Sequence, residues 1–322
     1  MKVFLVDGTY ELFRQHFGIP DSARETSTTG AIRGVLNSVL SLLADGATHL
    51  GVATDHVIES FRNQMWPGYK SGAGVPKILL DQFHPLEDAL AAMGVAVWPM
   101  TDLEADDALA SAAAVARDDS RVNQVIICTP DKDLAQCVND GGDGKAQVVQ
   151  LDRRRGLLYD EKAVEAKFGV PPAAIPDYLA LVGDTADGFP GLKGFGAKGT
   201  AAVLNRYGRI EDVPDSDWDG VTARGASTLV ARLAAERDNA LLFKELATLR
   251  IDPGAVGTVD DWEWTGPTER FSEVCEEIGA DTLAERAASL AAGELQDQAV
   301  GAVGPPRSRP PVENTSLPPS GE

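Results

Sequence analysis

The chain has 322 residues and a formal charge of −20, from 29 Lys and Arg against 49 Asp and Glu. That balance excludes a generally basic nucleic-acid coat but leaves room for local basic patches, and the length suffices for one large or two medium domains. Cys128, Cys137 and Cys275 are scattered and lack Cys-x-x-Cys spacing, which excludes a disulfide framework and a cysteine zinc site.

Lys2 to Val6 is a short apolar run closed by Asp7, with no cationic and apolar leader in front of it. Ala31 to Leu43 has helical periodicity, and Leu50 to Thr54 is a second apolar run, closed by Asp55. Phe61 to Leu80 holds Arg62, Lys70 and Lys77 and no acid, a basic island in an acidic chain. After the helical stretch Leu79 to Met93, the run Val95 to Pro99 leads into Glu104, Asp106 and Asp107 at the start of an Ala-rich helix over Ala105 to Ala116. Gln124 to Cys128 then closes on Thr129-Pro130-Asp131-Lys132-Asp133. Short β-branched runs separated by helices predict buried parallel strands in an α/β layer structure up to about residue 172. Ligands of such sheets bind beyond the carboxyl ends of the strands, so these stretches aim their acids at one crevice.

After Pro171 the pattern turns helical, at Ile175 to Val182, Lys198 to Tyr207, Ser227 to Glu236 and Phe271 to Ile278, which predicts a second region over residues 173–292. Residues 293–322 are rich in Pro, Gly and Ser and are expected to be a disordered tail. No apolar run approaches the length of a membrane span, and with the cysteine usage this predicts a soluble, cytoplasmic protein. Between the first two of these helices lies Gly183-Asp184 followed by Asp187, Pro190, Gly191, Lys193, Gly194, Gly196 and Lys198. The span from Gly188 to Ile210 carries Lys193, Lys198, Arg206 and Arg209 and no acid. Glycine permits positive φ and close backbone approach, and exposed amides at such a connector form an anion site suited to phosphate.

Asp7, Asp55, Glu104, Asp106, Asp107, Asp131, Asp133, Asp184 and Asp187 thus gather at one place. Each alone reads as a helix cap or turn residue. As a group they repel, and without a counter-charge some would stay protonated at neutral pH. Hard divalent ions remove that cost, and all-oxygen ligands suit Mg²⁺ or Mn²⁺.

On five ordered motifs the chain resembles the 5′-nuclease family, the 5′-3′ exonuclease domain of bacterial DNA polymerase I and the related flap endonucleases. The motifs are Val6-Asp7-Gly8; Phe61-Arg62 with Tyr69-Lys70; Glu104-Ala105-Asp106-Asp107; Thr129 to Leu134; and Gly183 to Asp187 with the connector through Lys198. The match covers residues 1 to 248 or so, and with no polymerase region following, a free-standing member is expected. The resemblance implies a PIN-like α/β domain, a helical arch over residues 61–85, and a helix-three-turn-helix over residues 175–208 that grips duplex DNA. It implies one metal site from Asp7, Asp55, Glu104, Asp106 and Asp107, another from Asp131, Asp133, Asp184 and Asp187, and K⁺ at the helix-three-turn-helix. Arg62 and Lys70 become catalytic candidates, Lys70 as partner of the scissile phosphate. Tyr69 would stack on a terminal base, and Lys77, Gly191, Lys193, Gly194, Gly196 and Lys198 would contact DNA.

The chain departs from the family's pattern at Ala73, where an Arg is usual, at Gly188, where Asn is usual, and at Gly199. The expected activity is divalent-metal-dependent cleavage of 5′ flaps, nicks and primer ends in replication and repair, with RNA–DNA hybrids among the substrates and a DNA polymerase or ligase acting on the same DNA. The rivals are a DNA-junction binder with weak or lost cleavage and a PIN-type ribonuclease or metal-dependent phosphatase. Intact acids argue against the first, and a duplex-gripping connector against the second.

Overall fold

The computed structural model describes residues 1–221 and 225–293. Of the expected tail, residues 293–322, all but Gly293 lies outside them. A six-stranded sheet runs in the order β3-β2-β1-β4-β5-β6. Its strands are β1 (Lys2–Asp7), β2 (His49–Asp55), β3 (Ala96–Met100), β4 (Gln124–Cys128), β5 (Gln147–Asp152) and β6 (Leu157–Tyr159). The first five pair in parallel and β6 is antiparallel on the edge. The parallel α/β prediction is thus met, with β5 and β6 added to the four runs read from sequence.

The helices are α1 (Gly8–Gly18), α2 (Asp21–Arg24), α3 (Gly30–Ala44), α4 (Arg62–Met65), α5 (Lys77–Leu80), α6 (Phe83–Ala92), α7 (Ala105–Asp118), α8 (Glu161–Phe168), α9 (Ile175–Val182), α10 (Ala197–Tyr207), α11 (Ala226–Ala247), α12 (Phe271–Glu277) and α13 (Asp281–Ala291). Central strands are buried on both faces, which is why they read as unbroken apolar runs. One face packs on α3 and α6, the other on α7. In α7 a row of alanines, Ala105, Ala108, Ala112 and Ala116, lets the helix lie close to the strands.

Helices α9, α10 and α11 build a separate core around Leu179, Leu192, Phe243 and Trp218. The chain continues beyond α11. It returns along the far side of the sheet, where the Trp264 N–H donates to Thr48 O at 2.8 Å and its indole N–H to Met93 O at 2.9 Å. Phe271, Cys275 and Leu283 then join the same core as α3 and α6. Among the described residues no helix is long and apolar enough to cross a membrane.

The segment expected to arch over the site contains two single-turn helices, α4 and α5, separated by turns. Gly74 takes a φ of 87°, a left-handed conformation that interrupts any helix between Ala73 and Lys77. Lys77, expected to contact DNA, begins α5 and its ammonium pairs with Asp81 at 2.5 Å.

Candidate active site

Asp7 closes β1 and caps α1. Its Oδ1 accepts the Tyr10 N–H at 2.8 Å and its Oδ2 the Thr129 hydroxyl at 2.9 Å. Asp55 closes the neighbouring β2 and its Oδ1 accepts the Ala105 N–H at 2.8 Å, tying that strand end to the start of α7. Glu104, the residue before α7, is buried and surrounded by donors: Ser60 Oγ at 2.5 Å, Tyr69 OH at 3.2 Å, Lys70 Nζ at 2.7 Å and the Arg62 guanidinium at 3.2 Å. Asp106 lies on the first turn of α7, facing the same space. Parallel strand ends and one helix N-terminus thus assemble a first set, Asp7, Asp55, Glu104 and Asp106.

A second set stands beside it. Asp133 begins the short helical turn after β4, and Asp184 and Asp187 lie between α9 and α10. Oxygens of these three buried acids lie within 4.8 Å of one another. Asp131, exposed on the turn between the sets, is one of the charges that raise Asp7, Asp106, Asp133 and Asp187, so it is close to both.

The electrostatics are those of crowded, buried carboxylates. Burial, then the neighbouring Asp55 and Asp131 charges, hold Asp7 up at about 7 against the hydrogen bonds from Tyr10 and Thr129. Burial and Asp131 push Asp106 well up, with Lys70 opposing. Burial pushes Asp133 well up, and the Asp187, Asp131 and Asp184 charges add to it. Burial also raises Glu104, but Lys70 and Arg62 overcome it and hold the carboxyl below its ordinary value. Asp133 Oδ1 is buried with no hydrogen-bond partner among the described residues. A buried, unpaired carboxylate oxygen among other carboxylates is costly to maintain unless an ion completes it.

The residues expected from sequence divide on this geometry. Lys70 Nζ bridges the sets, 2.7 Å from Glu104 Oε2 and 3.5 Å from Asp187 Oδ1, and a quarter of the side chain is open at 25 % exposure. Arg62 differs from expectation. It is 1 % exposed, grips Asp107 at 2.7 and 2.8 Å, and donates to the carbonyls of Leu246 and Thr248 at the end of α11. It joins the two cores and supports Glu104, and cannot reach a phosphate.

Asp107 differs for the same reason. Besides Arg62, its oxygens accept the backbone N–H groups of Glu104 and Arg250, so the carboxylate is fully used within the protein. Tyr69 is buried, with its hydroxyl on Glu104, and offers no open face for a base.

The connector residues form a tight turn between α9 and α10. Gly191 takes a φ of 64°, and a Cβ there would lie 2.3 Å from the Gly183 nitrogen, so only glycine allows the two strands of the connector to cross. Gly188 explains its own departure from the family's pattern. Its φ is 81°, and a Cβ there would lie 2.0 Å from the Gly68 carbonyl oxygen. The connector and the residue 66–70 segment touch at that point, where the Trp66 indole donates to Gly188 O at 3.1 Å and the Lys70 N–H to Asp187 O at 2.9 Å. Gly196 and Lys198 are exposed at the start of α10, and Lys193 and Gly194 in the turn before it. Sequence reasoning passed over Ser60, Thr129 and Lys132, which touch Glu104, Asp7 and Asp184. Ser60 leaves no signal at the sequence level, whereas Thr129 and Lys132 both lie inside the motif Thr129 to Leu134.

A parallel α/β sheet with paired carboxylate sets at its strand ends, joined to a glycine-turned helical pair, defines a nuclease of the 5′-3′ exonuclease class. The chain belongs to the 5′-3′ exonuclease family: its N-terminal resolvase-like domain matches residues 2–169 and its C-terminal SAM fold residues 170–270. DNA polymerase I of Pseudomonas aeruginosa is 35 % identical over 255 residues, 77 % of this chain and 27 % of that protein. DNA polymerase I of Bacillus subtilis is 29 % identical over 307 residues, 93 % of this chain and 34 % of that protein. The chain thus spans between a quarter and about a third of these relatives' length. Among solved structures, the bacteriophage T5 D15 protein crystallised with metal ions superposes with a TM-score of 0.62 at 18 % identity, covering 92 % of this chain and all of that one. The catalytic core of Rad2 in complex with DNA substrate superposes with a TM-score of 0.58 at 14 % identity, covering 90 % and 92 %. At these identities the superpositions speak for the fold.

Proposed function

We propose that this nuclease hydrolyses DNA at 5′ ends, flaps and nicks, using two divalent cations, Mg²⁺ or Mn²⁺, one at each carboxylate set. The observation that carries the reading is the buried, unpartnered Asp133 Oδ1 within a cluster of acids that otherwise lacks sufficient counter-charge. Asp7, Asp55, Asp106 and Glu104 would hold the first ion, and Asp133, Asp184 and Asp187 the second, with Asp131 between them. Bound there, such ions supply a hydroxide nucleophile and stabilise the leaving oxygen of an in-line displacement.

The chain's own residues supply position and charge. Lys70, held between the sets, faces the place of the scissile phosphate and stabilises charge that grows there. Arg62 keeps Glu104 ionised and fixed, which in turn holds Lys70. Asn63 donates to the Lys70 carbonyl at 2.8 Å and steadies the same segment. The exposed amides at the start of α10, with Lys193 and Lys198, hold the backbone of the duplex next to the cut. K⁺ at the connector belongs to the same reading, and duplex affinity measured in K⁺ against Na⁺ tests it. Primer ends and flaps left by a DNA polymerase, or nicks awaiting a ligase, are the substrates that such a site fits, with RNA–DNA hybrids as the case to compare.

Incubation of the pure protein with 5′-labelled flap, nicked and single-stranded substrates, with Mg²⁺ and with chelator, tests the proposal. Short products from flap and nick in Mg²⁺ alone are expected. Binding to the flap without cleavage in any divalent ion would make the protein a junction binder, and preferential cutting of RNA a ribonuclease.

A further inference from the structure

Lys132 stands between the two acids of the turn after β4, and its Nζ lies 2.6 Å from Asp184 Oδ2. Asp184 Oδ1 accepts the Ala186 N–H at 2.9 Å, so both oxygens of this carboxylate are engaged. The pairing is local to the second set. Lys70 is closer to Glu104 than to Asp187 and so serves chiefly the first set. Asp133 Oδ1 has no donor at all among the described residues. Within this set the direct ion pair of Asp184 is therefore Lys132, whereas Asp187 shares Lys70 with Glu104.

Its side chain is 34 % exposed, against 2 % for Asp184. The ammonium thus reaches the set from the solvent side. An ammonium and a divalent ion drawn to the same buried carboxylate repel each other strongly, because little water lies between them to screen the charges. They compete for one place.

We propose that Lys132 is the resident counter-ion of the second carboxylate set, that the second divalent cation must displace it, and that the displaced ammonium then pairs with a DNA phosphate. The inference rests on the two-ion reading above. Without DNA the second ion binds more weakly than the first, since its entry leaves an ammonium unpaired beside it. A phosphate at the site offers that ammonium a new partner, so substrate and second ion strengthen each other's binding, as linkage requires.

The test is calorimetric titration of the full chain with Mn²⁺ without DNA, for the wild type, Lys132→Met, Lys132→Gln and Lys132→Arg. The wild type should show a tighter and a weaker site. Met and Gln remove the charge while keeping most of the side chain, and both should tighten the weaker site at least about tenfold and leave the tighter one unchanged. Arg keeps the charge and should keep the weaker site weak. Addition of a 5′-phosphorylated nicked product duplex should tighten the weaker site in the wild type more than in Lys132→Met. If Met and Gln leave the weaker site unchanged or loosen it, with the tighter site and the far-UV spectrum as in the wild type, the role of Lys132 is overturned and the two-ion reading stands. A wild type that binds no Mn²⁺ overturns both.

Discussion

Asp7 and Asp55 end neighbouring parallel strands, in register with Ala53 and Met100, and their carboxylates are fixed by backbone and hydroxyl donors. Asp184 and Asp187 lie in a connector between two helices, and Asp133 on a single turn of tight helix. The first set is built into the sheet. The second is assembled where the two cores meet, and its order depends on contacts between them: Arg62 on the carbonyls of Leu246 and Thr248, and Lys70 N–H on Asp187 O. A site half on rigid strands and half on a joint can respond, in its second half, to what the joint holds.

The sharpest way to break this comparison is to remove one acid from each half. Asp7→Asn and Asp133→Asn should each lower single-turnover cleavage by several kcal/mol, roughly a thousandfold, since each ion stabilises charge in the transition state. They should differ in Mn²⁺ titration, Asp7→Asn losing the tighter site and Asp133→Asn the weaker. Loss of the same site in both variants would mean that the acids form one centre.

Arg62 tests the joint. Arg62→Ala leaves Asp107 buried with its charge unanswered and two carbonyls without donors, and such losses cost about 3 to 5 kcal/mol. Urea denaturation should show that drop. Lys70→Ala, by contrast, removes a partly open side chain, and should slow cleavage with a much smaller change in the urea midpoint. Equal destabilisation by the two variants would put Arg62 back on the surface side of the site.

The sequence made the first half of the site legible and the second half less so, for a physical reason. Strands buried on both faces must be apolar throughout, so an acid closing such a run stands out, and Asp7 and Asp55 could be placed from the pattern alone. The connector shows its glycines but not what they approach. That Gly188 lies against Gly68 depends on two segments far apart in the chain. The same limit explains the misassigned residues. Arg62, Tyr69 and Asp107 lie in motifs that carry chemistry, but a motif does not say which side chains turn inward, and a buried Arg is rare enough that exposure was the natural expectation. The polar residues Gln147 and Gln150 hid β5 from an apolar-run reading.

Removal of metal offers a third measure. Asp7 rises from an ordinary carboxylate value near 3.8 to about 7 in the folded chain, by burial first and by the Asp55 and Asp131 charges next, and burial raises Asp106 and Asp133 too. A carboxyl with a raised folded value contributes its full stability below its unfolded value and loses it as pH climbs through the folded one. In chelator the melting temperature should therefore fall between about pH 4 and pH 7, by several degrees or more. Mg²⁺ binds the ionised form and should restore the loss, most at the alkaline end. A chelated protein whose melting temperature rises across that range would show that the acids are neutralised by something within the chain.

The smallest expected effect lies farthest from the acids. Lys193 and Lys198 are exposed in the turn before α10 and in its first turn, in the acid-free span from Gly188 to Ile210, while the protein as a whole carries −20. A long duplex approaching an acidic protein needs such a place to land, and two ammonium groups beside a helix N-terminus give it one. Each phosphate they neutralise releases counterions, so log affinity should fall with log salt by about 0.9 per contact. Lys193→Ala with Lys198→Ala should flatten that slope by about one to two units and weaken binding of nicked duplex. Cleavage at saturating DNA should hardly change, because neither side chain is among the groups that touch the carboxylate sets. The contrast with Lys70→Ala, which should slow cleavage at saturation, is what the experiment reads. An unchanged salt slope in the double variant would move the duplex grip away from the connector, and the glycine turns at Gly188 and Gly191 would then serve only to bring Asp184 and Asp187 up to Asp133.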